Sequence, residues 1–134
     1  MQNSNAYQVN QAYRSASVAV PPLKAMVMLH EGAMSFLQRS LVAAEAKRFE
    51  ESHGYMIRAT AILRGLSHNL DFTRGGAVAE RLYTTYQSLI MACLRSFGRP
   101  NAKASFARII NGIAELRDAW KFVAASTATP AGTL

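Results

Sequence analysis

The residues of this chain that could do metal or acid–base chemistry are three histidines, one cysteine and eight carboxylates, and their spacing decides what they can do together. No two of His30, His53 and His68 lie four residues apart, so the helical pair that grips a zinc ion is missing. Glu50 and His53 make a single Glu-x-x-His, the spacing that sets two di-iron ligands on one helical face. A carboxylate bundle needs a second such pair and further inward acids. Glu115 and Asp118 lack a histidine, and Glu45 and Glu80 fit no matching layer. A solvated face accounts for these acids more simply. Cys93 sits among Ile90, Leu94 and Phe97, where apolar neighbours would pack a thiol and raise its pKa rather than activate it. Gly75 and Gly76 lack the Lys-Ser/Thr ending of a phosphate loop and read as a turn. Scattered serines without a histidine and an acid in a recognisable setting make no triad. The chain is therefore expected to work by binding, with no turnover, no metal and no cofactor.

The charge of +7 comes from Lys and Arg spread along the chain, with Lys47 and Arg48 the only adjacent pair. Such a balance favours an acidic partner through long-range attraction without saying whether it is nucleic acid or protein. Neither a helix-turn-helix nor a basic stripe interleaved with aromatics stands out. Arg58, Arg64, Arg95, Arg99, Lys103 and Arg108 could gather on one side only through folding, and a solvated face is the simpler reading. A basic helical nucleic-acid-binding or regulatory protein stays open as the alternative. The lone cysteine fits a reducing compartment, and no stretch approaches the roughly 20 apolar residues of a membrane span. The polar start, Met1 to Gln11, lacks the basic and apolar pattern of a secretion signal, so the protein is expected in the cytoplasm.

The elements that must position any binding residues are helices. At 134 residues, half of them hydrophobic, the chain has material for one core. Residues 1–21 show no periodicity and are expected to form a mobile arm. From Pro22 apolar residues recur at Leu23, Met26, Val27, His30, Met34, Leu37, Leu41 and Ala44, which predicts a helix to about Lys47. A second, about Phe49 to Asn69, carries Met56, Thr60 and Leu63, with Gly54 a weak point that marks either a close helix approach or a late start. A turn over residues 71–76 precedes a third, about Ala77 to Phe97, with Leu82, Tyr83, Tyr86, Leu89 and Ile90. The fourth, about Ala102 to Ala125, follows an Asn101 cap and carries Phe106, Ile109, Ile113, Leu116 and Trp120. Residues 126–134 are small and should fray. Short links between helices of similar length predict an all-α, antiparallel four-helix bundle over residues 22–125. Helix 1 adds Met28, Leu29 and Phe36 beside its main stripe, and helix 3 adds aromatics. These either complete a wide core or remain outside it as a binding patch.

In order along these helices, the landmarks resemble the FliS family of flagellar export chaperones. Met28, Leu29, His30, Glu31, Gly32 and Ala33 match its Met-Leu-Tyr-x-Gly-Ala pattern, and Leu70, Asp71, Gly75 and Gly76 match its Leu-Asp then Gly-Gly turn. Leu82, Tyr83 and Tyr86 are similar to its Leu-Tyr-x-x-Tyr. Glu115, Leu116, Arg117, Asp118, Ala119 and Trp120 reproduce its Glu-Leu-Arg-x-Ala-Trp ending. The chain departs from the family where Pro21 stands in place of a Ser/Thr cap, and where His30 replaces the tyrosine and removes its phenol.

The resemblance implies a chaperone that binds the disordered C-terminal segment of flagellin, blocks premature polymerisation and keeps the cargo competent for secretion. It also implies that the N-terminal arm covers part of the groove and moves aside for cargo. The flagellar export apparatus, or another secreted flagellar protein, enters as a further candidate partner. An amphipathic segment laid into an apolar groove, ordered only on binding, is physically reasonable. The partner-binding residues expected from this resemblance are Tyr13 on the arm, Met28, Leu29 and His30 on helix 1, and Leu82, Tyr83 and Tyr86 on helix 3. Trp120 is expected to fill the bundle.

Overall fold

The computed structural model describes the backbone of residues 22–133 and the side chains from Leu23 to Phe122; Tyr13 and the rest of the arm lie outside the described residues. Four helices follow in order, α1 Pro22–Glu45, α2 Phe49–His68, α3 Phe72–Ser96 and α4 Ala102–Thr133, with no strand among the described residues. Each boundary has a local cause. Pro22 opens α1, at a position where its missing N–H costs nothing. Lys47 closes it in the left-handed region, at φ 65°, with Arg48 N–H bonded to the Ala43 carbonyl at 2.8 Å and Lys47 N–H to that of Ala44 at 2.9 Å. Glu50 and Glu51 lie in the first turn of α2, where carboxylates complement the helix dipole.

Helix α3 starts five residues earlier than Ala77, the start expected from periodicity. Asp71 caps it by accepting the Arg74 N–H at 3.1 Å, so Phe72–Gly75 form a helical turn. Gly76, at φ 52° and ψ −128°, then breaks the axis before the long body of α3 begins. The expected turn is thus a capped kink. At the start of α4, Asn101 serves through its backbone carbonyl, which takes the Ser105 N–H at 3.0 Å. The α4 backbone remains helical to Thr133, past Ala125, although Pro130 has no N–H to give to the turn before it.

The helices close into a ring, α1 against α2 and α4, and α3 against α2 and α4. Contacts fix the antiparallel register all the way round. Ser40 meets Ser52 across α1 and α2, His53 meets Phe97 across α2 and α3, Gly112 faces Leu89 across α3 and α4, and Lys103 reaches Glu45 across α4 and α1. The core holds Leu37 from α1, Met56, Leu63 and Leu66 from α2, Tyr86, Ile90 and Cys93 from α3, and Phe106 and Ile113 from α4, all essentially out of water. Each large side chain buried this way contributes about 1.5–3 kcal/mol. Gly54 is not a close approach, since a Cβ there would meet nothing within 4 Å. The tight α1–α2 contact is at the serines, where Ser40 Oγ donates to the Ser52 carbonyl at 2.8 Å and Ser52 Oγ to that of Ser40 at 2.7 Å.

Candidate functional site

The residues expected to bind a partner divide into two groups by burial. Met28 and Leu29 are exposed on α1, at 61% and 40%. Leu82 and Tyr83 are half-buried on α3, Leu82 packed against the core and Tyr83 edge-on to the exposed ring of Phe72 at 5.8 Å. His30 and Tyr86 are fully buried, and they face each other rather than the surface. Because α1 and α3 stand diagonally in the ring, this pair is a bridge across the core, while Met28 and Leu29 sit on a different helix from Leu82 and Tyr83.

The bridge has one self-consistent set of donors. A backbone carbonyl can only accept, so His30 Nδ1–H donates to Met26 O. That leaves Nε2 of the neutral ring as an acceptor, which takes the Tyr86 O–H at 2.7 Å. Tyr86 Oη in turn accepts Trp120 Nε1–H at 3.1 Å. Burial, above all, holds His30 below the usual histidine range; the Met26 bond opposes this, and the Arg117 charge adds to it. Burial likewise pushes the Tyr86 phenol up, against the bond from Trp120. Both rings are therefore neutral near pH 7, and α1, α3 and α4 are tied at one level. Arg117, one turn before Trp120, reaches Glu31 at 3.8 Å and Asp118 at 3.1 Å. Three of the sequence motifs that lie far apart in the chain, at residues 28–33, 82–86 and 115–120, meet here as a packing node.

Beside that node Leu70, Val78, Ala79, Leu82 and Trp120, together with Asp71, Arg74 and Gly75, line a groove of about 300 Å³ between the start of α3 and α4, with Val78 55% exposed. Among the described residues helix α3 is the least closely packed against its neighbours, and it leaves Phe72, Val78, Met91 and Leu94 open to solvent. Sequence reasoning placed Leu82 here but missed Val78 as a groove residue and gave Trp120 only an interior role. The indole does pack inward to Tyr86, and it also borders the groove. Val78 stands four residues before Leu82 on the same helical stripe, and that spacing was the available signal.

Burial pushes the Cys93 thiol up to about 12, and the His53 ring is taken up edge-on by Phe97 at 5.2 Å. No cluster of three or more possible metal ligands occurs among the described residues, and no helix among them is long and apolar enough to cross a membrane.

Comparison with known proteins points in one direction. A family model for the flagellar protein FliS matches residues 3–127. The flagellar secretion chaperone FliS of Campylobacter jejuni is 33% identical over 126 residues, which cover 92% of this chain and 94% of the relative.

Proposed function

This chain belongs to the FliS family, and from that premise we propose that it is a cytoplasmic chaperone that binds the C-terminal segment of flagellin and keeps it unpolymerised until secretion. The observation that carries the reading is the groove between α3 and α4, where Leu70, Val78, Leu82 and Trp120 present apolar surface and Val78 stays exposed. An amphipathic client helix would bury such a groove, and a client disordered beforehand would pay its ordering cost only against that burial. The protein then acts by stoichiometric binding, not by turnover.

Met28, Leu29, Leu82 and Tyr83 are proposed contacts, and Tyr13 is carried as one on the arm. His30 and Tyr86 support them from beneath by fixing α1 and α3 to one another. The test is co-purification of the protein with its cognate flagellin and with a flagellin lacking the C-terminal segment. A complex with the first and none with the second is expected, and equal binding to both would reject the reading. Within that assay Val78→Asp should weaken the complex by about tenfold or more without lowering the melting temperature, since Val78 is exposed in the free protein.

A further inference from the structure

A second surface lies on the outer side of α1 and α2, away from the groove. Phe36 and Tyr55 stack there with centroids 6.0 Å apart and planes tilted by 26°. Two guanidinium groups sit over the same pair, Arg39 at 5.8 Å from Phe36 and 6.0 Å from Tyr55, and Arg58 at 5.9 Å and 5.8 Å. Both arginines are exposed, and neither has a carboxylate within ion-pair distance among the described residues. The one acid at this site, Glu51, is already bonded to Arg48 at 2.8 Å. Beside the stack is an open groove of about 330 Å³ lined by Arg39, Arg48, Glu51, Tyr55 and Val42, the last 60% exposed.

Aromatic faces hold the two arginines in place, but they do not neutralise them, and two like charges over one stack repel. A bound anion relieves that repulsion. Guanidinium forks donate to carboxylates in two-pronged geometry, and the exposed Val42, one turn beyond Arg39 on α1, offers an aliphatic residue a seat beside them. We propose that this face docks an acidic segment of another protein, carboxylates on Arg39 and Arg58 and an apolar side chain on Val42.

Charge selects this occupant over the others. All eight Asp and Glu residues of the chain fall between Glu31 and Asp118, so neither the arm nor the C-terminal residues carry an acidic side chain to fill the site. A second copy would bring a net charge of +7 against +7. The surface on α1 and α2 shares no residue with the proposed client contacts, so the inference does not rest on the chaperone reading.

Fluorescence anisotropy with a labelled peptide of repeating Glu-Glu-Leu triplets tests it, with a Gln-Gln-Leu peptide and labelled single-stranded RNA as comparisons. The acidic peptide should bind and the neutral one should not. Arg39→Gln with Arg58→Gln should weaken binding by about tenfold or more, as expected for lost bonds between charged groups. Arg81→Gln with Arg95→Gln, an equal change of charge on α3, should leave it nearly intact. Equal loss in both double variants would reduce the effect to net charge and overturn the proposal. So would failure of the acidic peptide to bind at physiological salt, or RNA that binds more tightly through the same two arginines.

Discussion

His30 has a charge state fixed by the fold. In the unfolded chain it takes up a proton near 6.5, whereas burial and the Arg117 charge together lower its affinity in the native state. Below about pH 6.5 the unfolded state therefore binds more protons, so stability conferred by this residue is complete above that pH and is lost as pH falls toward the native value. Urea titrations at about pH 7.5 and 5.5 should show a larger fall in midpoint for the native protein than for His30→Gln; equal falls would contradict the assignment. Tyr86→Phe removes the donor to His30 and the acceptor of Trp120 and should cost about 1–3 kcal/mol in the same titration. At this scale the sequence made the positions legible but not their roles. The motif residues stand on the expected faces, yet a helical stripe cannot tell a side chain that meets a client from one that meets the diagonal helix. That is why His30 and Tyr86, two expected contacts, face one another in the interior.

The helices were legible because their apolar periodicity is uninterrupted and glycine, proline and aspartate punctuate it. Ends governed by backbone conformation were less so. Nothing in the residue type announces that Lys47 adopts φ 65° at the close of α1, a place usually left to glycine. Lys47→Gly should accordingly raise stability by about 0.5–1 kcal/mol, read as a shifted denaturation midpoint; an unchanged or lower midpoint would mean the left-handed residue is not a cost. Gly76 is the opposite case. Its φ of 52° with ψ −128° strains any L side chain although open space surrounds it, so Gly76→Ala should cost about 1–3 kcal/mol through the backbone alone. A change below about 0.5 kcal/mol would show that α3 can run straight through the kink. The start of α3 escaped the periodic reading because the Asp71-capped turn is too short to display a stripe.

The bundle as a whole is lopsided in the use of its helices. Helix α1 is packed closely between α2 and α4, held by the Ser40–Ser52 exchange and the Glu31–Arg117 pair, whereas among the described residues α3 is engaged least and leaves Phe72, Val78, Met91 and Leu94 exposed. Length, composition and stripe width foretold one all-α core but left open whether the extra apolar residues would be inside or outside. Packing resolves it unevenly, since Phe36 packs against the core and stacks on Tyr55 while Met28 and Leu29 stay in water. The client segment proposed for that open surface must fold as it binds. Nuclear magnetic resonance of the isotopically labelled C-terminal segment of the cognate flagellin, alone and with one equivalent of this protein, measures this directly. The account predicts amide signals that leave the narrow range of a disordered chain and acquire helical carbon shifts at stoichiometric protein; a segment whose spectrum is unchanged by the protein would contradict it.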